Sequence, residues 1–464
     1  MNKLSESNVL QFAFFGAVSA LILTVPSSLA SFYLINDLAV NLAYAGVVLS
    51  VIAVLENLIR ILSGVIIQKA NMRWGKYRSW IVVLRWVIVF GSIVLFINTG
   101  AMPVFVRIFV FAFGYLALYA SLTITQTAHY MLITKMAGTN MKDRIRLSVR
   151  NTQFVAFAPI VSAYIFMPGV EWVATLSTKT QPMIYLNMVM AVIFVIGAYV
   201  LTKVAKPYDA PQSTAANATL PKVTISDLLS SVFTNKPLLS VLFANVFLYT
   251  AVSISAGTMI YYFFYIDGNM ELMRTTVAAS MFTGLVASLI APKIGMILGK
   301  KKAMVFGLLI YALSNIAIIF LARNFTIIFI VLLCLNAGVL FLFKGFHVLY
   351  VLDSAEYHYW KTGKDHRAVA VSLIDFPIKI GVALAASITA FIVQSVGFSP
   401  EVAIEAEAIR SFLLLFGGIP AICALIGALI MHVGYEITDE DAERYVRENA
   451  EKSAHTQNVA EQIS

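Results

Sequence analysis

Apolar residues fall in long stretches separated by short polar gaps, and this pattern dominates the chain. Stretches of about twenty residues, enough to cross a bilayer as helices, lie at 10–34, 43–68, 79–98, 104–134, 147–169, 183–202, 237–265, 275–298, 303–322, 325–352, 369–394 and 411–434. Twelve membrane-spanning helices are therefore expected. Several stretches exceed the hydrocarbon thickness, which predicts tilt or extension into the interface. The longest polar gap, 203–236, passes through a Ser/Thr/Ala/Asn tract and ends in helix-like apolar spacing at 223–233. It reads as a linker with a short interfacial helix. The expected organisation is a six-helix bundle over 1–202, a cytoplasmic linker over 203–236, a second six-helix bundle over 237–434 and a cytoplasmic tail over 435–464. The tail is charged, and its helical stretch at 439–453 reads as a solvated helix followed by a disordered end.

Composition narrows the class. Of 464 residues, 60% are hydrophobic and 12% charged, where a soluble protein carries roughly twice that charged fraction. The net charge of +9 sits in the gaps between apolar stretches, a distribution that fits orientation in a membrane and not nucleic-acid binding. Gaps after the even-numbered spans are basic, whereas 35–42 and 99–103 contain no Lys or Arg. By the positive-inside rule both termini are cytoplasmic, in a multi-pass protein of the plasma (inner) membrane. The first apolar stretch is too long for a signal-peptide core. Cys334 and Cys423 lie in apolar stretches and read as small core residues. No dinucleotide, phosphate-loop or zinc-protease motif occurs, so neither enzyme chemistry nor a cofactor or metal is expected.

The informative residues are polar groups inside the spans, because a charge at membrane depth is costly and marks a candidate site. Glu56 and Arg60 share one helical face. They form either a self-neutralising pair that eases burial or a cavity-facing pair that handles substrate or protons. Asp375 and Lys379 repeat the spacing, with Pro377 between them predicting a kink. Lys344 and His347, three apart, are cavity residues or reach toward the interface. The fourth span carries Gln126, His129 and Tyr130, with His129 read as hydrogen-bonded structure. Arg150, near the start of the fifth span, snorkels or points inward. Tyr261-Tyr262-Phe263-Phe264-Tyr265 reads as an interfacial aromatic belt.

Four patches then carry a resemblance: Arg73-Trp74-Gly75-Lys76-Tyr77-Arg78-Ser79-Trp80; Asp143-Arg144-Ile145-Arg146-Leu147 with Arg150; Asn235-Lys236-Pro237; and Asp353-Ser354-Ala355-Glu356-Tyr357 through Trp360-Lys361-Thr362-Gly363-Lys364 to Lys379-Ile380-Gly381. In order and spacing across nearly the whole chain they resemble the glycoside–pentoside–hexuronide:cation symporters, the melibiose-permease-like branch of the major facilitator superfamily. The resemblance implies an all-α fold of two six-helix bundles, alternating access and a carbohydrate substrate near the midplane. Sodium-coupled members have two aspartates on the second helix; the matching positions here are Glu56 and Arg60. Carboxylates that hold sugar hydroxyls in melibiose-type members correspond to Val18 and Gln126. Lys344 falls about where some relatives place an aromatic residue, while Arg150 and Lys379 are retained.

The expected function is therefore secondary transport of a small carbohydrate, with Arg60, Gln126, Tyr130, Arg150, Lys344 and Lys379 contacting substrate and Glu56 and Asp375 available for coupling. Four cations against two carboxylates favour an anionic sugar. Protons or the solute gradient alone, not sodium, would drive the cycle. A monomer in the lipid bilayer is expected. The rivals are a lipid or amphiphile transporter on the same fold and a non-transporting sensor.

Overall fold

The computed structural model describes residues 4–70, 72–161, 182–209, 225–323, 325–396 and 406–463, with Gly169, Trp172 and Thr175. Its principal helices are α1 Glu6–Phe32, α2 Leu42–Lys69, α3 Arg78–Leu95, α4 Val104–Ala137, α5 Met141–Ala156, α6 Pro182–Val204, α7 Ile225–Thr234, α8 Lys236–Tyr261, α9 Met270–Leu298, α10 Lys300–Leu321, α11 Thr326–Thr362, α12 Arg367–Ser372, α13 Phe376–Val396, α14 Ala406–Gly434 and α15 Asp439–Ile463. Eleven helices among the described residues are long and apolar enough to cross a membrane. The predicted fifth span is α5 and a short turn at Ala158–Val161; its continuation over 162–168 lies outside the described residues.

Two compact units emerge. The first comprises Met1–Leu228, Asp365–Ser372 and Val446–Ser464; the second comprises Leu229–Lys364 and Leu373–Tyr445. In the first, α3 packs on α4 and α6, α1 packs on α5 and α6, and α2 packs on α4 and α12. Small residues permit these approaches. Gly64 lies where a Cβ would fall 2.6 Å from the Ala368 carbonyl oxygen of α12, and a Cβ at Gly197 of α6 would strike Val18 of α1. In the second unit, α10 packs on α11 and α14, α8 packs on α13 and α14, and α9 packs on α11. Numbered within each half, the spans therefore pair alike: third with fourth and sixth, first with fifth and sixth, second with fourth.

The loop ends repeat as well. In the first unit, Asp209, just after the sixth span, accepts the backbone N–H groups of Tyr77 and Arg78 at 2.8 and 2.7 Å, satisfying donors that the start of α3 leaves free. Gly75 precedes this contact with φ +114, and a Cβ there would meet Asp209. In the second unit, Asp439, after the twelfth span, accepts the N–H of Lys300 at 3.2 Å at the start of α10. Gly299, with φ +75, again makes room: a Cβ would lie 2.8 Å from the Asp439 carboxylate. Beneath that cap Lys300 and Asp353 form an ion pair whose side chains are 3% and 1% exposed.

Three expectations are corrected. The eleventh span is interrupted, not merely kinked: α12 ends at Ser372, a turn covers Leu373–Asp375 and α13 starts at Phe376. Pro377 has no N–H to bond the carbonyl of Leu373 four residues earlier, so the turn at Leu373–Asp375 cannot be continued as regular helix. Asp375 is therefore at the entrance of α13 and not on a continuous helical face with Lys379. The predicted aromatic belt is partly core. Tyr262 and Phe263 are buried within a π-helical turn, Tyr262–Ile266. Tyr262 donates to the Ala322 carbonyl at 2.8 Å and packs on Phe329 with ring centroids 3.8 Å apart. The tail helix is not fully solvated: Ala442, Tyr445, Val446 and Asn449 are buried along α15, and Tyr445 lies 4.8 Å from the Trp360 ring.

Candidate functional site

Each unit holds a cluster of charged and aromatic polar residues within its spans. In the first, Glu56 of α2 is 8% exposed and Arg60 follows one turn later, half-buried. From α4 come Tyr115 and Tyr119, stacked at 4.2 Å, with Tyr115 close enough to Glu56 to feel its charge. Ser63 donates to the Arg60 carbonyl at 2.7 Å and lies 3.3 Å from the Thr127 hydroxyl, tying α2 to α4. A carboxylate so buried needs polar neighbours, and Tyr115 is one of them. Tyr115 and Tyr119 were not among the sequence candidates. The legible signal was their i, i+4 spacing in an otherwise apolar stretch.

Other candidates in this unit separate from that cluster. Gln126 and Tyr130 are half-buried on α4. His129, between them in sequence, is structural as expected: its Nε2 lies 3.2 Å from the Phe12 carbonyl oxygen, and its ring packs on Phe12 and Phe15 at 4.1 and 4.9 Å. Arg150 of α5 donates to Gln153 at 3.0 Å and sits 3.4 Å from Glu6 in the first turn of α1. Val18 is buried against Gly197, so that position packs helices where the resemblance places a sugar-holding carboxylate.

In the second unit α11 presents Lys344 and His347 three residues apart. Lys344 is half-buried with its ammonium 4.9 Å from the Phe341 ring centre. His347 is 6% exposed, its ring 6.2 Å from that of Tyr249 on α8. Its Nε2 is buried and makes no hydrogen bond among the described residues. The carboxylate of Asp375 acts electrostatically on Lys344, His347 and Tyr249 alike. Breaking the helix at Leu373–Asp375 brings that carboxylate to the cluster. Close packing of Gly381 on Tyr249 and Thr250 holds α13 to α8: a Cβ there would fall 2.8 Å from both. Lys379, one turn into α13, is half-buried.

The four motif patches occupy helix ends. Asp143 accepts from the Leu4 N–H at 3.0 Å and from Arg146 at 2.6 Å. Asn235 accepts from the Leu238 N–H at 3.2 Å, capping α8, and donates to the Ser354 carbonyl at 2.8 Å. In the first unit Gln68 donates to the Asp365 carbonyl. Burial works against the charge of Asp365, but Arg367, its partner at 2.8 Å, and Lys76 outweigh it and hold the carboxyl well below the usual range. Burial lowers Lys76, with Asp365 opposing. Among the described residues no group of three or more His, Cys, Asp or Glu side chains is placed to hold a metal ion.

Comparison with known proteins agrees with this architecture. The family described as "MFS/sugar transport protein" matches residues 8–439. The chain is 24% identical over 438 residues to the uncharacterized symporter YnaJ of Bacillus subtilis (strain 168), covering 92% of this chain and 91% of that one. It is 25% identical over 219 residues to a putative sulfoquinovose importer of Escherichia coli (strain K12), covering 47% of each. The chain thus spans about half the length of several curated relatives it matches. Among solved structures, the major facilitator superfamily transporter FucP in the outward conformation aligns with a TM-score of 0.65 at 14% identity, over 93% of this chain and 98% of that one. That likeness establishes the all-α major facilitator fold.

Proposed function

From the premise that the chain belongs to the MFS/sugar transport protein family, and so is a multi-pass membrane transporter of sugars and not an enzyme, we propose that its substrate is an anionic sugar moved by alternating access without sodium. The observation that carries this reading is the charge at the middle of α11 and the start of α13, where two lysines, Lys344 and Lys379, accompany one carboxylate, Asp375, and the buried Nε2 of His347 makes no hydrogen bond among the described residues. An excess of cationic groups in a low-dielectric setting favours an anion over a neutral hexose. A relative named for the import of sulfoquinovose, an acidic sugar, supports the same class.

Sodium independence rests on the first unit. A sodium site needs several hard oxygen ligands, and α2 offers Glu56 with a guanidinium one turn away. At about 6 Å and an effective dielectric of about 20, two like unit charges repel by roughly 3 kcal/mol. Arg60 cannot relieve this by losing its proton. On this reading the protein is a monomer of the plasma (inner) membrane with both termini cytoplasmic. A cysteine at position 301 should resist a membrane-impermeant reagent added outside.

A thermal-shift screen of purified protein against uronates, sugar sulfonates and neutral hexoses tests the substrate class, since a ligand of the folded state stabilises by mass action. Acidic sugars should stabilise more than neutral ones, and Lys379→Ala should narrow the difference. Equal stabilisation by both classes, unchanged by Lys379→Ala, refutes the reading. Several-fold stimulation of vesicle uptake by a sodium gradient, lost in Glu56→Gln, refutes the coupling.

A further inference from the structure

We propose that His347 is the proton site of transport, taking up one proton together with each anionic sugar, so that coupling resides in the second unit and not at the Glu56 position of the first. This rests on the anionic-sugar reading and names the group that makes the cargo and its co-transported ion one event.

His347 is 94% buried by its 6% exposure, yet Nε2 has no hydrogen-bond partner. Buried polar atoms are nearly always partnered, and an exception calls for an account. The titratable groups that face the ring are Tyr249 from α8, Asp375 from the turn before α13 and Lys344 from its own helix. On other sides α9 and α10 meet α11 where Gly295 and Gly307 admit the rings of Phe346 and Phe343, which are apolar contacts.

Charge bookkeeping in this cluster sets the chemistry. Asp375 is one carboxylate acting on two basic side chains, Lys344 and His347, so it cannot neutralise cations on both. An imidazolium at His347 would then be a buried charge with a hydrogen-bond donor aimed at nothing, a state burial disfavours. The empty cluster therefore holds the imidazole neutral. A carboxylate or sulfonate arriving beside Lys344 reverses the balance: it supplies an acceptor for Nε2–H and a charge that an imidazolium neutralises. Water on the side of entry supplies the proton, the N–H bond forms at Nε2, and the anion–imidazolium pair is neutral as a unit. On release the N–H bond breaks, and the proton leaves with the anion into water on the other side. One proton and one negative charge cross together, and no net charge is moved by this pair. A neutral sugar brings no such acceptor charge and takes up no proton.

The test is titration calorimetry of the full-length protein with D-glucuronate, sulfoquinovose and D-glucose in two buffers of different ionisation enthalpy, between about pH 5.5 and 8 where imidazole titrates. For the acidic sugars in the wild type, the buffer difference should report uptake of about one proton, and affinity should fall about tenfold per pH unit on the alkaline side. His347→Gln should flatten the pH slope and remove the buffer dependence. Acidic sugars that bind with no proton uptake in the wild type overturn the proposal while leaving the anionic reading standing; this needs no variant. Loss of the pH slope in Glu56→Gln with its retention in His347→Gln places the proton in the first unit and also overturns it. Binding of neither acidic sugar at any pH overturns both.

Discussion

On the fourth span of each unit a buried histidine faces the first span. His129 of α4 meets α1; His347 of α11 meets α8. The first has its Nε2 against the Phe12 carbonyl at 3.2 Å and its ring packed on Phe12 and Phe15. The second has a tyrosine ring at 6.2 Å, a shared carboxylate and a bare Nε2. Two halves with the same packing order thus treat the same residue type in opposite ways. A histidine whose hydrogen bond is made contributes to folding; one left unmade stores capacity for a ligand or a proton. The helix-end caps show the converse. Asp209 and Asp439 come from corresponding places and do the same work, although only the second cap lies above a buried ion pair.

That difference between caps gives the largest expected effect. Asp353→Ala leaves the buried ammonium of Lys300 with only the half-exposed Asp439, 3.4 Å away, and should cost about 3 kcal/mol, read as loss of folded protein or a large fall in thermal midpoint in detergent. Asp353→Asn that unfolds at the wild-type midpoint would break the asymmetry. Next, Asp209→Ala deprives two N–H groups of a carboxylate and should cost about 2–3 kcal/mol. Asp439→Ala removes two longer contacts, to the Lys300 N–H at 3.2 Å and to its ammonium at 3.4 Å, from a side chain 47% exposed and should cost about 1 kcal/mol. Equal midpoint shifts would mean that the two caps are energetically interchangeable despite their distances.

The histidines follow. His129→Leu should destabilise by about 1–2 kcal/mol, losing a buried hydrogen bond and ring packing. His347→Leu should leave the midpoint unchanged or raise it slightly, because it removes a buried polar atom that had no partner. A larger loss at 347 than at 129 would reverse the assignment of structural and functional roles. The smallest effect concerns pH. The Asp365 carboxyl is held below its unfolded value by Arg367 and Lys76. Its contribution should be fully present above about pH 4 and lost as pH falls through the folded value. The wild-type midpoint should therefore decline more steeply on acidification than that of Asp365→Asn; parallel curves would show that the first unit draws no stability from this ion group.

The sequence by itself determined the approximate ends and helical nature of most spans, eleven of the twelve expected being long and apolar enough to cross a membrane among the described residues. In a bilayer each backbone polar group must be satisfied within its own helix, so length and hydropathy decide the element without reference to neighbours. It also marked Glu56, Arg60, Lys344, Asp375 and Lys379, because charge in an apolar run is conspicuous wherever its partners lie. The partners themselves were not legible. His129 and Phe12 are 117 residues apart, Tyr77 and Asp209 132, and Lys300 and Asp439 139. Whether a polar atom on one helix meets an acceptor depends on the rotation and height of another helix far away in the chain, which local pattern does not encode. For the same reason Tyr115 and Tyr119 looked like ordinary span aromatics until α4 was set against α2. Asp375 looked like a helix-face residue until the turn before Pro377 placed it beside Lys344 and His347. Composition fixed which groups had to be buried, and only tertiary packing decided which of them were satisfied and which were left open for chemistry.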